Sequence, residues 1–315
     1  MFDIVIVNWN SGDLLRDCLL SIPAGTQNSK NIGAIIVVDN NSSDDSLERL
    51  SEIDLPVQII RLATNEGFAK ACNLGARACS GENILFLNPD TNVVEGAFDG
   101  VEELLSHDQS VGIVGLQLVD EAENIHRSCA RFPRFLDLLS NSLGLHVLLG
   151  VNAPNMLMVE WNHDEDRDVD HVTGAALFIR RNLFERLGGF DERFFLYLED
   201  LDLCLRVRDL GKRVRYQVSG QVMHVGGGTS RTVPATRLFY QQRSRNLFTR
   251  KHWRLAPRIV VNAVGLFVEP WVRIGGALVR GEKQGIEQIM NATLRLWRWW
   301  VRTLLTEDRE GMRKG

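Results

Sequence analysis

The first hundred residues are dominated by four short β-branched and aliphatic runs, each closing on asparagine or aspartate or running into such a segment. "DIVIVNW" lacks polar alternation, which suits a strand buried on both faces. Behind it, "SGDLLRDCLLSI" sets Leu14, Leu15, Cys18, Leu19 and Ile22 at helical spacing, with Ser11 or Asp13 available as N-cap. "GAIIVVDN", "VQIIRLA" and "NILFLN" repeat the strand pattern, and "SDDSLERLSEI" and "GFAKACNLGARACS" repeat the helical one. This alternation predicts an α/β fold: a mostly parallel, doubly wound sheet with right-handed crossovers. Ligands of such sheets sit outside the carboxyl ends of the strands. Those ends read "VNWN", "VVDNNSSDD", "ATNEG" and "LNPDT". One polar end is turn chemistry; four at one edge predict a binding crevice.

The middle of the chain is mixed. "GIVGLQLVD" and "GAALFIRR" read as strands, "RFLDLLSNSLGLHVLLG" as helix or apolar loop, and "VEWNHDEDRDVDH" as a solvated acidic loop. A helix is predicted to start near Asp200 and to end at Gly211. From about residue 235 the pattern is helical. The expected division is 1–115, 116–234 and a basic amphipathic tail at 235–315.

Charge separates the same regions. Residues 1–230 carry 19 Lys+Arg against 34 Asp+Glu, and residues 231–315 carry 17 against 6, balances of −15 and +11 within a net −4. A basic tail on an acidic body points to an anionic partner or to a solvated helical surface. In "LRLWRWWVRTLL", Arg295, Arg298 and Arg302 share one helical side, opposite Leu294, Leu296, Trp297, Trp300, Val301 and Leu304. That is the pattern of a helix lying in a membrane interface, and a helix packed on a domain or a dimer contact shares it. No stretch offers the roughly 20 uncharged residues of a membrane span. Five scattered cysteines without a CxxC pair predict reduced thiols, and the N-terminus carries no evident signal peptide. The acidic body, lacking a recognised module, argues against nucleic acid as partner.

The chain lacks GxGxxG after a strand, GxxxxGK[ST], HExxH and GxSxG. What remains is carboxylates on an α/β crevice and a late histidine, the equipment of metal-assisted phosphate chemistry. The ordered segments "IVIVNWNSGDLLRDCLLSI", "IIVVDNNSSDDS", "NEGFAKACNLGARA", "LFLNPDT", "GAALFIRR", "GGFDERFFLYLEDLDLCLR" and "VMHVGGGTS" resemble the family 2 inverting glycosyltransferases. The resemblance is to the rhamnosyltransferase-like branch and covers roughly residues 3–250. It implies a GT-A type, Rossmann-like sheet with a C-terminal helical extension.

Residue by residue, the resemblance implies that Asn8, Asn10, Asn65, Gly67 and Asn73 line the nucleotide-sugar pocket. Asp39 would hydrogen-bond the base, although an Asx turn suits the same residue. "NPD" stands where the family carries its DxD motif, so Asp90 is expected to ligate Mn²⁺ or Mg²⁺ on the donor diphosphate, with Asn88 beside it as a neutral substitute for the first acid. His224 matches a further ligand and favours Mn²⁺, and Gly226 to Gly228 suit a loop near phosphate. Asp200 matches the general base, with Glu199 next to it as alternative. Asp202 and Arg206 are expected to pair on the helix surface. The implied donor is dTDP-L-rhamnose, with UDP- or GDP-sugars open, and the acceptor is a glycan or polyprenyl-diphosphate-linked sugar. The implied location is the cytoplasmic face of a membrane. A non-catalytic nucleotide-sugar-binding or membrane-binding module is the alternative of another class, against which stands the presence of both Asp90 and Asp200.

Overall fold

The computed structural model describes residues 1–27, 31–53, 55–150, 153–226 and 233–311. Strands β1 (Phe2–Asn8), β2 (Ile32–Asp39), β3 (Val57–Arg61) and β4 (Asn83–Leu87) lie parallel in the order β3-β2-β1-β4. The sheet continues through β5 (Thr91–Val93), β6 (Val111–Val119), β7 (Arg167–Val169), β8 (Ala176–Arg180) and β9 (Arg213–His224). Its full order is β3-β2-β1-β4-β8-β6-β9-β5, with β7 also on β9. Antiparallel β8 separates β4 from β6, while β9 runs parallel to β6 and antiparallel to β5 and β7. Six of these nine strands therefore run one way, as the βα alternation predicts.

The helices of the sheet unit are α1 (Asp13–Ser21), α2 (Phe68–Ala76) and α3 (Asp99–His107), joined later by α6 (Arg181–Arg186) and α7 (Glu199–Asp209). Between these two groups come α4 (Phe135–Ser142) and α5 (His146–Leu149); after them run α8 (Pro234–His252), α9 (Leu255–Phe267), α10 (Glu269–Val279) and α11 (Lys283–Gly311). Contacts divide the chain into one unit of residues 1–132 and 157–229 and a second of 133–156 and 230–315. The segment 133–156, read from sequence with the middle of the chain, thus packs among the tail helices.

Strand alternation builds two cores. Val5 and Val7 face Ile36, Val38, Ala71 and Cys72 on one side of the sheet, while Phe2, Ile4 and Ile6 face Leu15, Leu19, Ile35 and Val37 on the other. At the opposite end of β1 from the polar edge, Asp3 is fully buried and accepts the backbone N–H groups of Ala34, Ser80 and Gly81 at 2.6–2.7 Å. Asp3→Ala leaves three amides unpaired and is expected to destabilise the fold by about 3 kcal/mol in urea unfolding. A change below about 0.5 kcal/mol would contradict this account.

Three local expectations are corrected. The "SDDSLERLSEI" helix reduces to a short 3₁₀ turn, Glu48–Glu52, because Asp44 spends its carboxylate on Gly12 N and on Ser46 rather than on capping an α-helix. The α1 cap position falls on Gly12, without a side-chain cap from Ser11 or Asp13. The acidic stretch 159–171 is not a solvated loop: Trp161 and His163 are buried, stack at 4.3 Å and pack on Tyr216, and β7 pairs with β9. Its charges instead face cations, since Asp168 bridges Arg213 and Arg215.

In the helical unit, Glu269 is 1% exposed and bonded to Arg245 at 2.5 Å and to Arg273 at 2.9 Å. Burial alone raises its pKa, but the two guanidinium groups outweigh it and bring the carboxyl to about 2 from 4.5. A depressed carboxylate contributes stability that is present above pH 4.5 and lost as pH falls toward 2, here roughly 3 kcal/mol. Glu269→Gln is therefore expected to flatten acid unfolding of this unit between about pH 5 and pH 2, read by circular dichroism.

The tail helix departs from its sequence pattern in one respect. Leu296 is buried, the Trp297 indole donates to Leu266 O at 2.9 Å, and Arg243 lies over the Trp299 ring. Part of the apolar side of α11 is thus used inside the protein while Leu294 and Val301 stay exposed, and Arg295 donates to Thr236 at 2.9 Å.

Candidate active site

The register sets Asn8 directly beside Asp39 at the carboxyl ends of β1 and β2. Asn8 is fully buried, and its amide lies 2.9 Å from Asp39 Oδ1, 2.9 Å from Ser46 Oγ and 3.1 Å from Ser42 Oγ. The other Asp39 oxygen accepts Ser42 N at 3.3 Å, the bond of an Asx-type turn. Asn10 adopts a left-handed backbone (φ 52°), which asparagine tolerates, and its Oδ1 accepts Ser43 N at 2.8 Å. These three predicted pocket residues form one network that shapes loop 40–46.

Asn40, unremarked in the sequence, ties this network to the next loop by donating to Gly67 O at 3.3 Å and accepting Glu66 N at 2.8 Å. Asn65 caps Gly67 N at 3.0 Å. Gly67 opens α2 at φ 87°, where a Cβ would stand 2.5 Å from Phe195 O, so a side chain is excluded twice. Asn73 stands apart: its amide holds Phe190 N and O at 2.9 Å and reaches Glu192 at 3.1 Å. All its polar atoms serve the 190–192 loop.

Past β4 the chain turns at Asn88, whose N donates to Ala175 O and whose O accepts Thr91 Oγ. Among the described residues nothing hydrogen-bonds the half-buried Asn88 side chain. β5 then pairs with β9 so that Thr91 faces His224, and this brings Asp90 Oδ1 to 3.3 Å from His224 Nε2. Nε2 is buried without a hydrogen-bond partner. A carboxylate oxygen and an orphaned imidazole nitrogen converging at this separation fit a divalent cation, with imidazole favouring Mn²⁺ over Mg²⁺. Among the described residues no third His, Cys, Asp or Glu joins the pair, so a donor diphosphate and water would complete the coordination. Gly226 follows at φ 71°, and Gly227 and Gly228 lie outside the described residues.

The second carboxylate group heads α7. Tyr197 and Leu198, both non-glycine, sit in the left-handed region (φ 68° and 66°), at a cost of roughly 1–3 kcal/mol each. They turn the chain so that Glu199 and Asp200 open the helix, where the macrodipole favours acids. Asp200 accepts Gly174 N at 2.9 Å and Leu201 N at 2.7 Å, and its Oδ2 lies 3.3 Å from His171 Nε2. Burial opposes its ionisation, but the His171 charge and these bonds outweigh it and hold the carboxyl below its usual range. Glu199 is buried, Oε2 has no hydrogen-bond partner, and burial together with the Asp200 charge pushes its pKa well up. The neighbours are thereby split into an ionised and a protonated acid. Asp202 pairs with Arg206 at 2.7 Å as expected, but fully buried rather than on the helix surface.

His171 was missed by sequence reasoning, since it lies 29 positions from Asp200 in a stretch that reads as loop. One short segment links the two acidic centres: Gly174 N binds Asp200, and Ala175 O binds Asn88 N, two residues from Asp90.

Comparison with known proteins agrees with this architecture. The family described as Glycosyl transferase family 2 matches residues 3–188. The chain is 26% identical over 261 residues to an N-acetylglucosaminyl-diphospho-decaprenol L-rhamnosyltransferase of Mycobacterium tuberculosis, covering 78% of this chain and 82% of that protein. It is 26% identical to the rhamnosyltransferase WbbL of Escherichia coli over 71% of this chain and 83% of the relative. The mannosyltransferase PcManGT from Pyrobaculum calidifontis, solved with GDP-Man and Mn²⁺, superposes with a TM-score of 0.56 at 15% identity, over 94% of this chain and 86% of that one. Staphylococcus aureus TarS residues 1–349 give 0.52 at 15% identity over 92% and 78%. With the family match spanning more than half of its residues, the chain belongs to the family 2 glycosyltransferases.

Proposed function

We propose that the protein is an inverting glycosyltransferase that moves a sugar, L-rhamnose from dTDP-rhamnose in the first instance, to a glycan or polyprenyl-diphosphate-linked acceptor. The rhamnosyltransferase relatives support that donor, and UDP- or GDP-sugars are the alternatives. The observation that carries the mechanism is the environment of Asp200, an acid kept ionised by Gly174 N, Leu201 N and His171 at the mouth of α7.

In this reading Asp200 takes the proton of the acceptor hydroxyl as its oxygen bonds to the anomeric carbon. The bond from that carbon to the diphosphate oxygen breaks on the opposite face, and the nucleoside diphosphate leaves with its electron pair. A low pKa limits basicity, but the hydroxyl becomes acidic once it shares electrons with the anomeric carbon, so a late proton transfer suffices. Glu199, protonated, offers a hydrogen bond to the acceptor. Asp90 and His224 would hold Mn²⁺, which when bound supplies positive charge to the departing diphosphate. The Asn8–Asp39–Asn10 network, with Asn65 and Gly67, forms the nucleotide side, where Asp39 would exchange its Ser42 contact for a base N–H. Asn88 is the candidate neutral contact to the ribose or sugar.

The test is a thermal-shift panel of dTDP-, UDP- and GDP-sugars with Mn²⁺. A cognate donor at 100 times its Kd stabilises by about 2.7 kcal/mol, and a panel without any metal-dependent shift would overturn the reading.

A further inference from the structure

Of the exposed large apolar side chains among the described residues of the helical unit, seven lie on α9 and α10 and four on α11. These two helices meet at Val268 and run as one 25-residue segment, Leu255–Val279, long and apolar enough to cross a membrane by length and composition. Only 28% of its most apolar window is buried, whereas a core helix of the same composition would be mostly enclosed. Phe267 is 55% exposed, Trp271 66% and Val279 90%. Among the exposed residues Val260, Phe267, Trp271 and Leu278 follow i, i+7, i+11, i+18 spacing and share one stripe.

The opposite stripe is fully occupied. Val261, Gly265, Leu266 and Ala277 are buried, and the segment packs on α4, α8 and α11 along its length. Its one carboxylate, Glu269, is turned inward onto Arg245 and Arg273. The segment carries Arg258 and Arg273 and packs on the strongly charged α8, which suits a stripe lying in the plane of an interface better than one spanning it. Cations mark both ends, Arg254 and Arg258 at the first and Arg280, paired with Glu282, and Lys283 at the second, in a region of balance +11. Self-association would set these basic flanks against their own copies, because a twofold contact is isologous. An anionic lipid surface instead complements both the apolar stripe and its ends.

We infer that α9–α10 is a membrane-seating face of this protein, with Phe267, Trp271 and Leu278 entering the headgroup region of an anionic bilayer. This follows from the helical unit alone and does not depend on the transfer chemistry.

The full chain is floated with vesicles of phosphatidylcholine, with and without phosphatidylglycerol. The wild type is expected to float with the anionic vesicles, and Val260→Ser/Phe267→Ser/Trp271→Ser to lose roughly tenfold or more in partition at unchanged melting temperature. Leu278→Asp is the second variant, at a position 63% exposed, and is expected to lower partition on its own. Equal flotation of wild type and variants overturns the inference, as does wild-type indifference to anionic lipid. A concentration-dependent dimer that the triple variant abolishes, without flotation, overturns it in favour of a second copy. The nucleotide-sugar thermal shift is expected to be the same in wild type and triple variant, so failure of either proposal is visible separately.

Discussion

Asp200→Asn is expected to lower sugar transfer by about 10³-fold or more while donor binding stays within about twofold. The amide is isosteric and its one oxygen still accepts Gly174 N, while Leu201 N loses its side-chain acceptor, a modest cost at the helix start. What is lost is a charged oxygen able to take a proton. The pH profile separates the two candidate bases. With Asp200 as base, held below the usual aspartate range, kcat/KM keeps its value as pH falls to the ordinary carboxylate region. With Glu199 as base, whose pKa burial pushes up, the acid limb would rise well above 4.5. An Asp200→Asn enzyme with near-wild-type turnover, or a profile already falling near neutrality, moves the role to Glu199.

Asp90→Ala removes one of two converging ligand atoms and is expected to cost several kcal/mol, about 10²- to 10³-fold, in metal-dependent nucleotide affinity. The comparison is the thermal shift with dTDP, UDP or GDP in the presence and absence of Mn²⁺. The wild type is expected to gain an increment from the metal that Asp90→Ala and His224→Ala both lose. If the increment survives in both variants, the cation is held elsewhere. Folding itself is expected to hold, because the Asp90 backbone contact to Val225 persists without the side chain.

How far the sequence carried the argument depended on range. Most strands of the parallel half were readable because β1, β2 and β4 bury aliphatic runs, although the edge strand β3 is largely exposed, and their polar ends mark the edge where Asn8 and Asp39 meet. The pairing of Asp90 with His224 needed the β5–β9 ladder, whose three-residue strand β5 is too short to signal itself. His171 escaped for a similar reason: its partner comes from a different element, and no periodicity announces such a meeting. In the stretch around Trp161 and His163, acidic composition suggested solvent, yet the two rings between the charges were free to bury. For the tail, a helical wheel shows an apolar side without saying how much of it protein covers: in α11 Leu296 and Trp297 are covered while Leu294 and Val301 stay outside.

Gly174 and Ala175 form a ruler. In the proposed mechanism the amide of Gly174 grips the base and the carbonyl of Ala175 grips the turn that leads to the cation ligand. Covalent bond lengths therefore govern how far apart bond making and bond breaking occur. Walls of the crevice can be recut for another sugar without resetting that distance, whereas one residue inserted between positions 174 and 175 would put both halves of the reaction out of step.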